Sequence, residues 1–474
     1  MNFFLHSLSI LGTLSLLLHN GYLSLYAGAV EIDITSADSV RNAAAEVAYG
    51  MMIYYTGNRT GDVPGNLPSP YYWWEAGAMF MSMVEYWYYT GDTTYLNETK
   101  AAILHQVGDD NDFMPANQTK TEGNDDQVFW SFAAMTAAEL KFPDPDDGHA
   151  SWVAQAQAVF NEQAARWDEG DCGGGLRWQI YTFNAGWNYK NTISNGGFFQ
   201  LAARLARYTG NESYTEWANK TYDWFEGTSL MNPDTWQVND GTSTTSNCST
   251  ADQTQWTYNY GTMIVGCAFL ANHTGSELWK NRTNGLLDKA LDVFYPTNMG
   301  PNIMVEVACE PYGTCDNDQV SFKAYLSRWL ALTAQMMPER YDDIMTKLLK
   351  SAQGAAGQCS GSGKTADSTC GREWNSTVWD GTMGVGEQMS ALQAISAAML
   401  DLDKTLAIPV TLDTGGTSKS DPSAGTGSSS GSTDGSYDDS TPITAGDKAG
   451  ASILTIVMVG GTLAGAWYMM VGDF

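Results

Sequence analysis

Between residues 36 and 401 the apolar positions fall into twelve helical runs of two alternating kinds. The runs at 36–55, 93–107, 149–168, 212–227, 276–294 and 338–356 carry charges and amides on one face and apolar residues on the other. The second kind is apolar nearly all round and rich in small residues. Ala76-Gly77-Ala78-Met79-Phe80-Met81-Ser82-Met83 and Ser131-Phe132-Ala133-Ala134-Met135-Thr136-Ala137-Ala138 show it, with others near 192–208, 256–271, 319–335 and 382–400. An amphipathic helix turns its polar side to water, whereas a helix apolar on every side is buried. Period-two alternation is scarce, so little strand is expected. Six buried and six exposed helices in alternation predict an all-α fold, an (α/α)6 toroid of six inner and six outer helices.

The connections repeat as well. Tyr89-Thr90-Gly91-Asp92, Tyr208-Thr209-Gly210-Asn211 and His273-Thr274-Gly275-Ser276 each end a buried helix on Gly and open an exposed one with a capping side chain. Those turns are short. The returning connections, 57–70, 108–123, 169–191, 228–255, 295–318 and 357–378, are long. Long loops gathered at one end carry function. All six buried helices therefore start at one mouth, beneath the long loops.

The helix starts at that mouth mix aromatics with carboxylates and amides. They are Tyr71-Tyr72-Trp73-Trp74-Glu75, Asp125-Asp126-Gln127, Asn191-Thr192-Ile193-Ser194-Asn195-Gly196, Trp256-Thr257-Tyr258-Asn259-Tyr260, Asp318-Gln319-Val320-Ser321-Phe322-Lys323 and Trp379-Asp380-Gly381. Aromatic faces stack on the C–H faces of pyranose rings, and carboxylates and amides bind sugar hydroxyls. By position, Trp73, Trp74, Asn195, Tyr258, Lys323 and Asp380 are the expected substrate-binding residues. The adjacent pair Asp125 and Asp126 is the expected catalytic element. Asp at a helix start also serves as a plain cap. Two carboxyls this close, with Cα atoms about 3.8 Å apart, suit the short separation of retaining glycosidases. Their repulsion raises one pKa and keeps one of them protonated as an acid.

Other chemistries find no support in the chain. There is no nucleophile elbow, P-loop or dinucleotide fingerprint. The five His residues never fall at metal-ligand spacing, and no cofactor or metal is expected. A formal net charge of −29 with only 24 Lys and Arg argues against nucleic acid or anionic lipid as a partner.

Both ends read as addresses. Residues 1–29 hold an apolar run closed by Ala27-Gly28-Ala29, the pattern of a secretory leader. The folded domain is expected over 30–411. Residues 412–446 collapse to Ser, Gly, Thr, Asp and Pro and are expected to be an unfolded stalk. Residues 447–474 end in an apolar tail that reads as a GPI-attachment signal, removed on maturation, with the attachment residue within 440–447. The expected location is the outer face of the plasma membrane or the cell wall, with the lipid anchor as the membrane contact.

Secretion fits nine Asn-x-Ser/Thr sequons. Glycans are expected at Asn58, Asn97, Asn117, Asn211, Asn219, Asn272, Asn281 and Asn375. Asn247 is set aside because its neighbour Cys248 is expected to be bridged. Of seven cysteines, Cys309 with Cys315 and Cys359 with Cys370 flank short loops and look like local staples. Cys267 lies mid-helix as a buried thiol, and elimination leaves Cys172 with Cys248.

Asn124-Asp125-Asp126-Gln127, Trp73-Trp74-Glu75, Asn191-Thr192-Ile193-Ser194-Asn195-Gly196 and Tyr258-Asn259-Tyr260-Gly261 together resemble glycoside hydrolase family 76. The leader, stalk and tail resemble its fungal, GPI-anchored DFG/DCW-type branch. The resemblance implies the (α/α)6 toroid and a retaining, endo-acting mannan endo-1,6-alpha-mannosidase. It implies Asp125 as nucleophile and Asp126 as general acid/base. It implies α-1,6-mannan or GPI-core mannose as donor, with a β-glucan acceptor if the enzyme transfers rather than hydrolyses. The competing expectation is a non-catalytic mannan-binding wall protein whose Asp pair only caps a helix.

Overall fold

The computed structural model describes residues 29–361 and 368–426. The expected leader (all but its last residue), the far part of the expected stalk and the expected attachment signal lie outside those residues.

The chain is an (α/α)6 toroid. The outer helices are α1 Ala37–Met52, α3 Leu96–His105, α5 Trp152–Ala165, α7 Glu212–Glu226, α9 Glu277–Phe294 and α11 Tyr341–Gln358. The inner ones are α2 Trp73–Thr90, α4 Asn124–Glu139, α6 Thr192–Thr209, α8 Thr257–Thr274, α10 Phe322–Met336 and α12 Val385–Ala397, with a short α13 at Met399–Leu402. Each inner helix packs on the next inner one, and α12 packs back on α2, so the ring closes. Composition explains the two rings: in α6 every residue from Thr192 to Tyr208 is buried, whereas α7 buries only one face. Small residues let the inner helices approach closely. A Cβ on Gly77, for instance, would stand 2.8 Å from the Trp130 ring. Gly91, Gly210 and Gly275 close α2, α6 and α8 with φ of 73°, 69° and 67°, the left-handed turn that glycine adopts without cost to a side chain.

Strands are few and short. β1 Tyr189–Asn191, β4 Gly241–Ser243 and β5 Ala251–Asp252 form an antiparallel sheet in the order β1-β4-β5, with Asn191 opposite Gly241 and Gly241 opposite Asp252. This sheet ties the loop before α6 to the loop before α8 at the mouth. Two-stranded ribbons join β2 Met231–Asn232 to β3 Gln237–Val238, and β6 Cys359–Gly361 to β7 Thr369–Cys370. Disulfides connect Cys172 with Cys248, Cys309 with Cys315 and Cys359 with Cys370, while Cys267 is a buried free thiol. None of the sequon asparagines is buried. Among the described residues no helix is long and apolar enough to cross a membrane.

The boundary at 411 moves. Residues 412–426, composed like a stalk, lie as a strap along α5. Ser418 Oγ accepts the Val153 N–H at 2.9 Å, and Gln157 bonds Ser420 Oγ at 2.8 Å and the Asp421 N–H at 2.6 Å. Asn161 Nδ2 donates to the carbonyls of Pro422 and Ala424. The strap corrects a second expectation. The segment expected to expose one face over 149–168 instead buries every residue from Trp152 to Phe160, because the strap covers it.

Candidate active site

The site is built on the start of α4. Gly123 is its N-cap, so Asp125 and Asp126 both lie inside the first helical turn rather than on a non-helical entry. Asn124 anchors this turn from several directions. Its N–H donates to Trp178 O at 2.9 Å, its Nδ2 to Arg177 O at 2.8 Å, and its Oδ1 accepts from Arg166 Nε at 2.9 Å. Gln163 Nε2 donates to the Asn124 carbonyl at 2.8 Å. Asp126 Oδ2 accepts the Gly123 N–H at 2.6 Å, so this carboxyl does cap its helix, through one oxygen. Asp125 Oδ1 is buried without a hydrogen-bond partner.

The two carboxyls converge because residue 123 has no side chain. A Cβ there would overlap Asp125 Oδ1 and stand 3.3 Å from Asp126 Oδ2. Glycine is required here for space, not for backbone conformation, since its φ of −93° is open to any residue.

The pair faces a cavity of about 650 Å³. Its walls are aromatic: Trp73, Trp74, Phe129, Trp178, Tyr258 and Phe322 line it. Neighbours brace most of them. Trp73 Nε1 donates to Gln106 Oε1 at 2.8 Å, Trp74 lies 4.8 Å from Phe129 between ring centres, and Tyr258 stacks on Phe322 at 3.8 Å with planes 8° apart. Five of the six inner helices contribute a residue from their first turn or cap. The exception is α12.

Five carboxyls line the cavity, Glu122, Asp125, Asp126, Asp240 and Asp318, and no Lys, Arg or His does. Burial, then the charge of Asp126, raises Asp125 well above the usual carboxylate range. Burial, eased by the Gly123 N–H, raises Asp126 to about 7. Burial also lifts Asp318 to about 6 and pushes Glu122, which stands beside Asp126, well up. Asp240 is raised by burial against the hydrogen bonds of Tyr189 and Asn259. The Asp125–Asp126 pair therefore holds a proton at neutral pH. Beneath it, Glu75 accepts from the Tyr72 N–H and from Asn317 Nδ2, and burial lifts it to about 8.

Of the residues expected to bind substrate, the structure brings Trp73, Trp74 and Tyr258 to the cavity beside the pair. Three others lie elsewhere. Asn195 is fully buried, accepting the Leu176 N–H and donating to the carbonyls of Leu176 and Asn191, which clamps the loop to α6. Lys323 points away from the mouth, 2.5 Å from Glu310 Oε1, donating to Arg372 O and lying over the Trp374 ring. Asp380 sits in the loop before α12, which starts at Val385 rather than near 382. It accepts from the N–H groups of Arg372, Glu373 and Thr382. All three are polar residues near helix starts whose partners come from loops, and periodicity says nothing about those.

The lining also holds residues that position in a helix did not select: Glu122, Trp178, Tyr189 and Asp240. They arrive on long loops. The available signal was clustering of aromatics with amides in 178–189, and the Asp-Gly step at Asp240-Gly241. Among the described residues no cluster of three or more His, Cys, Asp or Glu is arranged to hold a metal ion.

The model of glycosyl hydrolase family 76 matches residues 39–411. Mannan endo-1,6-alpha-mannosidase DCW1 of Saccharomyces cerevisiae is 47% identical over 436 residues, covering 91% of this chain and 93% of that protein. DFG5 of the same yeast, also a mannan endo-1,6-alpha-mannosidase, is 43% identical over 445 residues, covering 93% and 94%. Among solved structures, Dfg5 from Chaetomium thermophilum in complex with glucosamine is similar at a TM-score of 0.79 and 42% identity, covering 84% of this chain and 98% of that one. An inactive variant of a Salegentibacter alpha-1,6-mannanase, in complex with alpha-1,6-mannotriose, shares the fold at a TM-score of 0.61 and 20% identity, covering 76% and 99%. With the family model spanning most of the chain and curated relatives of this identity along nearly its whole length, the chain belongs to glycosyl hydrolase family 76.

Proposed function

We propose that the protein is a retaining, endo-acting alpha-1,6-mannosidase or transglycosidase of the fungal cell wall, acting on alpha-1,6-mannan or on the mannose core of GPI anchors. The observation that carries this reading is the Asp125–Asp126 pair at the foot of an aromatic-walled cavity. The convergence of the two carboxyls on the empty side of Gly123 supports retention. Oxygens that both lie so near one point cannot stand about 6.5–9.5 Å apart, as an inverting pair does.

In this reading Asp125 attacks the anomeric carbon while Asp126 gives its proton to the departing glycosidic oxygen. The bond to the leaving sugar breaks as the bond to Asp125 forms. In this reading the proton the pair shares sits on Asp126 when Asp125 attacks, which removes the charge that repels Asp125. Asp126 then takes a proton from water, which breaks the glycosyl ester and gives hydrolysis. If a β-glucan hydroxyl stands in place of water, the same step gives transfer.

The GPI-core donor draws support from charge. That core carries a glucosamine with a free amine, and the lining presents carboxyls with no opposing cation. The relative from Chaetomium thermophilum was solved with glucosamine. A location at the outer face of the plasma membrane or in the wall is supported by the leader and attachment signal expected at the ends.

The test is a reducing-end-labelled alpha-1,6-mannooligosaccharide incubated with the protein, with and without a β-glucan oligosaccharide, and followed by mass and anomeric NMR. Shortened products of α configuration, abolished by Asp125→Asn and by Asp126→Asn, establish the retaining mannosidase. A heavier conjugate formed only with the acceptor establishes transfer. Products of β configuration would overturn retention, and an unchanged oligosaccharide and GPI-core glycan would overturn the enzyme reading.

A further inference from the structure

In the loop returning from α5 to α6, residues 178–189 form a closed finger. At its base the Trp178 N–H donates to Tyr189 O at 2.7 Å. Near the tip the Asn184 N–H donates to Tyr181 O at 3.1 Å and the Trp187 N–H to Asn184 O at 3.2 Å. Asn184 Nδ2 fastens the finger sideways, to Lys120 O at 3.0 Å and Gln179 Oε1 at 3.1 Å. Gly186 is needed twice over: its φ is +100°, and a Cβ there would strike the Trp178 ring. The base of the finger belongs to the site, because Trp178, Gln179 and Tyr189 line the cavity and Trp178 O holds the N–H of Asn124 beside Asp125.

The tip is exposed and aromatic. Phe183 is 67% exposed, and its ring lies against Tyr181 with centroids 5.2 Å apart and planes 14° apart. Leaving a phenyl ring in water forgoes the gain of burying it, yet a finger bonded along its length holds this one out. Residues 178–189 also contain no charged side chain, in a chain of net charge −29, and combine five aromatics with the amides of Gln179, Asn184 and Asn188. That mixture suits an uncharged, hydroxyl-rich ring with an apolar face. Phe183 is four residues from Gln179, so their Cα atoms are at most about 14 Å apart, within reach of one oligosaccharide.

We propose that Phe183, backed by Tyr181, is an outer sugar subsite: its ring stacks on a pyranose of the same glycan whose reacting bond lies at the Asp125–Asp126 pair, beyond the cavity rim. The proposal rests on the glycan-processing reading above and names a part of the substrate site outside the cavity.

The test compares the full chain with Phe183→Ala and Phe183→Trp on short and long alpha-1,6-mannooligosaccharides. A parallel arm measures affinity for the long glycan by calorimetry, with each change placed in the Asp125→Asn background. Phe183→Ala is expected to raise KM for the long glycan about three- to tenfold with kcat kept, and to erase the preference for long over short. Phe183→Trp is expected to restore it. An equal effect on both lengths, or none, overturns the subsite. If no form turns over any glycan, the functional reading fails and the affinity arm still decides the subsite. Binding weakened by Phe183→Ala and rescued by Phe183→Trp supports it, whereas unchanged or absent binding overturns it.

Discussion

The Gly123 N–H donates to Asp126 Oδ2 at 2.6 Å, so one carboxyl of the Asp125–Asp126 pair also closes the first turn of its own helix. Capping and chemistry are therefore not alternatives at this residue, and they separate by substitution. An Asn at 126 keeps an oxygen that accepts the N–H, and Asn ranks with Asp as a cap. Asp126→Asn and Asp125→Asn are expected to keep thermal stability within about 1 kcal/mol, or to raise it, since each removes one of two repelling buried carboxyls. Both are expected to lose at least ~10³-fold in kcat/KM. Calorimetric unfolding beside product formation decides it, and full activity in either variant would leave only a helix cap.

Gly123→Ala tests the space between the carboxyls. A methyl group there overlaps Asp125 Oδ1 and lies 3.0 Å from Trp178 O, so Asp125 must swing away while the fold is retained. The expected outcome is a loss of about 10²-fold in kcat with KM for a long glycan changed far less. A variant with wild-type kcat would show that Asp125 does its work from another rotamer.

Stability should fall as pH rises. Burial pushes Glu75, Asp112 and Glu306 to about 8, Asp126 and Glu387 to about 7 and Asp318 to about 6. The same groups ionise near pH 4 in the unfolded chain. From about pH 4 to 8 the folded state thus binds more protons than the unfolded one, and unfolding free energy declines with pH. Asp168 and Asp380 act in the opposite sense, because there the cost of burial is outweighed, by Lys190 for Asp168 and by Thr382 with backbone N–H groups for Asp380. Their contribution is lost only on acidification below about pH 4. A Tm maximum near pH 4 is expected, lower by several degrees at pH 8. A Tm that climbs steadily from pH 5 to 8 would refute the assignment of neutral buried carboxyls.

Activity carries its own pH limit. If the pair works as proposed, kcat/KM should decline above neutrality as the pair loses its one proton, and decline in acid as it gains a second. Asp318→Asn removes a carboxyl whose charge raises Asp126 and should move the alkaline limb to lower pH. A profile indifferent to that change would place Asp318 outside the electrostatics of the pair.

The strap over α5 is expected to contribute to stability. Ending the chain after residue 411 removes the bonds to Val153, Gln157 and Asn161 and bares a helix whose residues from Trp152 to Phe160 are buried. Relative to a chain ending at 428, a Tm lower on the order of 5 °C is expected, read by scanning calorimetry. Equal Tm values would mean the strap only rests on the surface.

The two rings could be read from the chain because burial of a whole helix leaves no polar face, as in α6, and periodicity reports that directly. The site was half readable for the same reason. Trp73, Asp125 and Tyr258 sit in first turns that open on the cavity, where position in a helix implies position in space. Lys323 and Asn195 sit near the same starts but aim at loop backbone, and a helical pattern does not record which loop atoms wait there. Composition misjudged 412–426 because its Ser and Asp side chains and backbone dock through hydrogen bonds supplied by another element, Gln157 and Asn161 of α5.

The closed inner ring has an electrical consequence. Five of the six inner helices bring their first turn or cap to the cavity, and each helix N-terminus carries a partial charge of roughly +0.5 from its aligned peptide dipoles. Together they place a charge of roughly +2.5 under a lining with no Lys or Arg, opposite five carboxyls. The peptide backbone thus acts as the counterion of the acidic mouth. Replacing those carboxyls by amides one after another would leave that positive field uncovered, and the mouth would gain affinity for anions such as phosphate.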